Sequence, residues 1–323
     1  TQIVTDYHGL HFVNYVNSIN SVNCLLILLP RAQRKSVKIS VKKCFVVLGI
    51  DTSGEYCSVG LADRGRLLDE TSERTPREHS SKLVFFIDRI LKKNKLKIRD
   101  INAVAVSIGP GSYTGLRVGV ASAKALAQAL DVPIVAVGTL DVIALNAVSS
   151  KKNEKSPLTP LYERGDGGGF KICVITDARK QQVYTSLYSL QVYKFTSLQG
   201  NKLISGQVDK CISIQDRSSK LRKVMKDSVL SIEDLLNLLT TSDVRRPTVF
   251  IGNAVRIYGD AIKEKLGGKA IFAPEELWRP KAGTIAFEGY RKLQKNRKGD
   301  DLFRLKPVYV REPDIHSSIQ PQL

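Results

Sequence analysis

Cys44-Phe-Val-Val-Leu-Gly-Ile50, followed by Asp51-Thr-Ser-Gly-Glu55, is the stretch on which the fold turns. A continuous apolar run rich in β-branched residues suits a central strand buried on both faces, because neither face meets water. The polar, glycine-bearing turn ends it. Tyr56 to Ala62 alternates as a second strand, and Asp63-Arg-Gly-Arg66 turns the chain into a third over 67–74. Leu83, Phe86, Ile87, Ile90 and Leu91 recur at helical spacing and predict a helix over 80–93. Ala103-Val-Ala-Val-Ser107 is another buried strand, ending in Gly109-Pro-Gly-Ser-Tyr-Thr-Gly115. A helix from about 116 to 130, a strand over 134–137 and a helix over 140–148 follow. The order β-β-β-α-β-α-β-α, hairpins first and crossovers after, describes an α/β lobe.

Residues 149–169 are rich in Pro, Gly and Lys without periodicity and read as a low-complexity linker. Beyond them the pattern restarts more weakly. Strands are expected over 171–176, 182–190, 248–251 and 270–272, with Asp177-Ala-Arg-Lys180 as a turn. Gly252-Asn-Ala-Val255 turns into a helix, and a final amphipathic helix covers 282–294. The stretch 191–247 is polar and ambiguous. The expected architecture is two lobes of duplicated βββαβαβα order, the second degenerate. Its boundaries are an extension over 1–42, a first lobe over 43–148, a linker over 149–170, a second lobe over 171–313 and a tail over 314–323. The extension shows no clean alternating strand, and its apolar patch at 24–29 precedes its basic residues, the reverse of a secretory signal. It reads as a poorly ordered segment or a non-native start.

A length of 323 residues, at roughly 150 per domain, agrees with two lobes. Hydrophobic residues at 42% and charged residues at 25% exclude disorder along the whole chain. The cysteines at 24, 44, 57, 173 and 211 form no CxxC pair, which excludes a disulfide framework or zinc ribbon and fits a reducing, cytoplasmic setting. Four histidines leave little material for metal ligation or Ser-His-Asp chemistry. No apolar run approaches the ~20 residues of a membrane span. The net charge of +19 suits a polyanionic partner, and equally a surface that is basic everywhere, since no RNA-reading motif accompanies it.

Two motifs bear on chemistry. Asp51, Thr52 and Ser53 stand at a strand's C-terminal end, where open α/β sheets place ligands, and could hold a phosphate. An ordinary Asx or Ser/Thr turn explains them as well. The loop Gly109, Pro110, Gly111, Ser112, Tyr113, Thr114, Gly115, with Arg117 beyond it, lies between strand and helix like a phosphate loop. It lacks both the Gly-Lys-Ser/Thr and the GxGxxG fingerprints, so its glycines could equally permit close helix–strand approach. Gly119, Ala121, Ser122, Ala123, Ala125, Ala127 and Ala129 make the next helix small on several faces, as close packing or a helical partner would require. No nucleophile–base pair, HExxH or GxSxG is present.

Ile-Asp-Thr-Ser at 50–53, Arg77-Glu-His-Ser80, Gly-Pro-Gly-Ser-Tyr-Thr-Gly-Leu-Arg-Val-Gly at 109–119 and Val-Pro-Ile-Val-Ala-Val-Gly-Thr-Leu at 132–140 together resemble the TsaB (YeaZ) family, with weaker echoes at 177–179, 252–254 and 306–311. The likeness is strong over 44–148. It implies an ASKHA (actin/Hsp70/sugar-kinase-like) fold, paralogous to TsaD. TsaD holds a metal through His-x-x-x-His, and the matching positions here are Thr139 and Ile143, which cannot replace imidazoles. The resemblance thus implies a non-catalytic subunit that supports TsaD in forming N6-threonylcarbamoyladenosine at position 37 of tRNAs reading ANN codons. Its implied partners are TsaD in a heterodimer, the ATPase TsaE, indirectly TsaC and tRNA, and a second copy in a homodimer. No cofactor is assigned to the chain itself; ATP or ADP falls to the complex interface. The candidate partner surface is Leu83, Ile87, Ile90, Val118, Ala121, Ser122 and Ala125, on the two first-lobe helices. The alternatives are a small-molecule kinase or glycoprotease-like enzyme of the same fold, and a basic RNA-binding module. Because the core pattern begins near Cys44, removing residues 1–40 should leave the thermal melting midpoint within about 2 °C of the full chain, a shift worth about 1 kcal/mol at this size; a larger drop would tie the extension to the core.

Overall fold

The computed structural model describes residues 44–75, 79–148, 170–190, 221–241 and 246–311, and places four further short strands. The chain separates into two units, Thr1–Cys44 and Phe45–Leu323. In the first, Gln2–Thr5 (β1) pairs antiparallel with His11–Asn14 (β2), a hairpin where the sequence showed no clean strand. Residues 149–169 of the expected linker over 149–170, and the tail over 314–323, lie outside the described residues.

The second unit holds two sheets of the same topology. Val46–Asp51 (β3), Tyr56–Asp63 (β4) and Arg66–Arg74 (β5) run as an antiparallel meander. His79–Lys93 (α1) crosses to Ile101–Ser107 (β6), which pairs parallel to β3. Tyr113–Leu130 (α2) then crosses to Ile134–Val137 (β7), and Thr139–Val148 (α3) closes the lobe. The sheet order is β5-β4-β3-β6-β7. All six residues of β3 are buried, as a strand at the centre of a covered sheet must be.

The second lobe repeats this plan. Phe170–Asp177 (β8) and Gln182–Leu190 (β9) form a hairpin, and Ser197–Gln199 (β10) pairs with Lys202–Ile204 (β11) on its own. Leu221–Ser231 (β12) joins β9, and Ile232–Thr241 (α4) leads to Thr248–Ile251 (β13). Val255–Leu266 (α5), Ala270–Phe272 (β14) and Ala282–Lys295 (α6) complete it, in the order β12-β9-β8-β13-β14. The stretch left ambiguous in sequence therefore contains the missing third strand and first helix. β12 escaped notice because it is a sheet edge, whose half-exposed, charged pattern carries little alternation.

The closing helices cover each other's sheets. Leu140, Ile143, Ala144 and Ala147 of α3 pack with Phe170, Ile172, Val174 and Leu190 of the second sheet. Ile285, Ala286 and Leu293 of α6 pack with Val47, Ala62, Ala103 and Ala105 of the first. α6 lies so close to β3 and β4 that glycine is required beneath it. A Cβ at position 49 would stand 2.1 Å from the Ala282 carbonyl oxygen, and one at 60 would stand 2.4 Å from the Gly283 nitrogen. Glu70 accepts hydrogen bonds from the Ala282 and Gly283 amides at the helix N-terminus, where a carboxylate also meets the positive end of the helix dipole.

Gly49→Ala should therefore cost about 3 kcal/mol or more in urea unfolding, since the clash is with backbone rather than a movable side chain. Gly54→Ala, where a Cβ meets nothing within 4 Å, should stay within about 0.5 kcal/mol of the parent. Equal effects would mean that α6 does not rest on β3 as described.

Candidate functional site

The turn after β3 is enclosed. Asp51 is only 1% exposed, and Thr52 and Ser53 are buried with it. The Ser53 hydroxyl donates to Asp51 Oδ1 at 2.7 Å, the Ser53 amide reaches the same oxygen at 3.3 Å, and the Ser107 hydroxyl also donates to it. Burial pushes the Asp51 carboxyl up to about 6, against which the three hydrogen bonds pull down. The Thr52 hydroxyl donates to the Gly115 carbonyl at 2.7 Å. Both hydroxyls and the Ser53 amide thus serve the chain itself.

The loop over 109–119 is what covers this turn. The Ser112 amide donates to the Ser53 carbonyl at 2.7 Å. Cβ atoms at 111, 115 and 119 would fall 2.3, 2.0 and 2.2 Å from Ser53 O, Thr52 O and Thr52 Oγ1 respectively. Of the two readings of these glycines, close approach is the one their contacts describe. Gly109 holds a positive φ of 117° and exchanges hydrogen bonds with Thr139, whose hydroxyl accepts from the Gly109 amide at 3.1 Å. Ser112 caps α2, its hydroxyl accepting from the Gly115 amide, so the helix begins at Tyr113, a turn earlier than its apolar periodicity indicates. Tyr113, Thr114 and Arg117 face solvent at its start.

The second-lobe turn is held by the loop after β13 and by Arg311: Asn253 Oδ1 accepts from the Asp177 amide at 3.0 Å, and Arg311 donates to the Ala178 carbonyl at 3.2 Å. Arg179, Lys180 and Gln181 follow one another at φ of 62°, 51° and 60°, a left-handed run without a glycine. The Arg179 amide donates to Asp177 Oδ1 at 2.7 Å.

α3 carries the positions that matter for a metal. Thr139 is buried and bonded to Gly109, and Ile143 is buried in the second lobe's core. Neither fits a metal ion. Between them Asp141 accepts from the Tyr188 hydroxyl at 2.6 Å and pairs with Lys223 at 2.9 Å, which ties α3 to β9 and β12. The phenol of Tyr188 is pushed far above its ordinary range, by burial first and then by the Asp141 charge.

The first-lobe helices are adjacent, since residues of α1 and α2 share one core cluster. Leu83, Ile87 and Ile90 point into that cluster. They are a correction to the expected partner surface, because their stripe is consumed by the lobe's own sheet. The outward face of α1 is instead Val84 and Phe85, 68% and 55% exposed. Leu83-Val-Phe-Phe-Ile87 was the available signal, as a run of five apolar residues exceeds what a single helical stripe can bury. On α2, Ala121 and Ala125 are exposed and Val118 and Ser122 half-buried.

The family model described as "TsaD: tRNA N6-adenosine threonylcarbamoyltransferase" matches residues 71–316. The tRNA threonylcarbamoyladenosine biosynthesis protein TsaB of Bacillus subtilis (strain 168) is 27% identical over 265 residues, covering 82% of this chain and 93% of that protein. TsaB of Escherichia coli (strain K12) is 34% identical over 142 residues, 44% of this chain and 54% of its own length. Among solved structures, YeaZ from Pseudomonas aeruginosa superposes with a TM-score of 0.56 at 23% identity over 82% of this chain and 99% of that one, which shows the shared ASKHA-type fold. The chain belongs to the TsaD-type family, as one of its TsaB (YeaZ) members.

Proposed function

We propose that this chain acts in the cytoplasm as the non-catalytic partner subunit of a TsaD-containing complex that makes N6-threonylcarbamoyladenosine at position 37 of tRNAs reading ANN codons. The observation that carries this reading is the chemistry of α3, where Thr139 and Ile143 stand buried in place of the two imidazoles a TsaD metal site needs. With no ligand pair to orient a threonylcarbamoyl group, the chain's contribution is a surface. That surface is the outward face of α1 and α2, where Val84 and Phe85 offer apolar area and Ala121 and Ala125 allow a partner helix close approach. A heterodimer with TsaD buries it, and a homodimer competes for the same face. TsaE and any ATP or ADP belong to the assembled complex, and TsaC supplies its activated substrate. The engaged Asp51 turn weighs against a kinase, whose phosphate loop needs amides and hydroxyls that are free.

Purified alone, the chain should modify no tRNA. Ala121→Glu and Ala125→Glu should each weaken TsaD binding more than tenfold, over about 1.4 kcal/mol, by placing an unpaired carboxylate where the helices meet. Both alanines are exposed, so circular dichroism should be unchanged. Folded variants that bind TsaD at full strength would move the interface elsewhere.

The same reading makes Asp51 structural. The folded chain keeps its proton up to about pH 6, whereas the unfolded chain releases it near 3.8. Stability should therefore fall as pH rises through that window and level off above it, by about 3 kcal/mol for a shift of about two units. Asp51→Asn should flatten the fall and leave TsaD binding intact. An unchanged pH profile in that variant would show that Asp51 does not titrate as its burial implies.

A further inference from the structure

Residues 299–311 run as an anchored strap along the flank of α2 away from α1. The Asp300 carboxylate accepts from the Ala136 amide at 2.7 Å, and the Asp300 amide donates to the Ile134 carbonyl at 2.8 Å. Leu305 is buried in the first-lobe core, and Lys124 donates to the carbonyls of Phe303 and Leu305 at 3.3 and 3.2 Å. The Val308 amide donates to the Ile108 carbonyl at 2.7 Å. The strap thus begins beside Lys124 and ends beside Tyr113, antiparallel to α2. The eleven helical steps from Tyr113 to Lys124 span about 16 Å.

Although its backbone is pinned at both ends, the strap turns its aromatic side chains outward. Phe303 is 81% exposed. Tyr309 lies against Tyr113 with ring centroids 4.8 Å apart and planes inclined by 33°, both rings remaining exposed. The Arg117 guanidinium sits 5.4 Å from the Tyr113 centroid. Arg304 and Lys306 project between the aromatic positions, and Asp301, paired with Arg304 at 3.5 Å, is the acid beside them. Aromatic faces interleaved with cations are what unpaired bases and their phosphates require, because each base stacks on a ring or guanidinium while the backbone meets positive charge. Val308 adds exposed apolar area beside Tyr309, but Arg304 and Lys306 separate it from Phe303, and a protein partner would be better served by one contiguous apolar patch.

We propose that the strap and the adjoining start of α2 bind single-stranded RNA, the unpaired nucleotides of a tRNA loop, through Tyr113, Arg117, Phe303, Arg304, Lys306 and Tyr309. This rests on the reading of the chain as a tRNA-modification subunit and names the substrate contact it makes. The charge of +19 draws RNA to the chain in general, and the strap decides where it sits.

The test is fluorescence anisotropy of the full chain with a labelled, unmodified tRNA transcript across salt concentrations. Phe303→Ala with Tyr309→Ala should weaken binding at least tenfold and leave the slope of log affinity against log salt unchanged, since stacking releases no counterions. Arg304→Gln with Lys306→Gln should weaken binding and reduce that slope by about 1 to 2. Lys263→Gln with Lys265→Gln, exposed on α5, should change neither. Wild-type affinity in the aromatic double variant, or an equal loss from the α5 pair, would overturn the proposal in favour of diffuse charge. Loss of TsaD capture by the aromatic variant with RNA binding intact would overturn it in favour of a protein contact. The partner reading is tested separately by Ala121→Glu: a chain that fails to bind TsaD at all, yet loses tRNA through the aromatic variant, would discard that reading and keep this one.

Discussion

The exchange of closing helices is the constraint from which the rest of the second unit follows. α3 continues the first lobe in sequence but completes the core of the second sheet, and α6 does the reverse. Neither sheet can bury its inner face without a helix supplied by the other lobe, so the lobes fold as one body rather than as a pair of tethered domains. Polar contacts fix the geometry of the exchange. Asn146 of α3 donates to the carbonyls of Leu277 and Arg279 and accepts from Thr284 of α6, while Asp141 reaches across to Tyr188 and Lys223. Where α6 meets β3 and β4, backbone lies on backbone, a contact that only glycines at 49 and 60 allow.

That constraint reaches the candidate site through Thr139, the first residue of α3. Its hydroxyl and amide hold Gly109, and from Gly109 the chain runs through the loop that presses three glycines onto Thr52 and Ser53. A phosphate-binding turn needs backbone amides that point outward and side chains with nothing else to bond. Here the Ser53 amide and hydroxyl turn back on Asp51, and Thr52 bonds Gly115. The frame of the ASKHA fold is kept, and at its first turn the side chains of Asp51, Thr52 and Ser53 bond within the chain.

How much of this was legible in the sequence varies with burial. β3 and β6 were plain because central strands are apolar throughout, and α1 because its stripe repeats at helical spacing. β12 and α4 were hidden because an edge strand such as Leu221–Ser231 mixes charge with apolar residues and carries no period strong enough to stand out. The glycines of 109–119 were visible as a cluster, but one sequence serves a phosphate loop and a close helix–strand contact alike, and only the positions of Thr52 and Ser53 separate the two. The exposed surface of the two first-lobe helices was half legible. Small residues on α2 marked a helix that permits close approach, whereas the apolar stripe of α1 marked the lobe's own core, and the apolar side chains left exposed lay one residue along at Val84 and Phe85.

The composition of α2 follows from having a neighbour on several of its faces. Gly115, Leu116, Gly119, Val120, Ala123 and Ala127 look inward, the glycines against the Asp51 turn and the larger residues into the core. Tyr113 and Lys124 lie on the flank that receives the strap. The outward ridge runs through Arg117, Ala121, Ala125 and Gln128, and alanine at its middle keeps helix propensity high while adding no bulk. Its longer side chains, Arg117 and Gln128, stand toward its ends. The short side chains between them leave the middle of the helix unshielded by bulk, and on α1 the exposed apolar side chains are Val84 and Phe85.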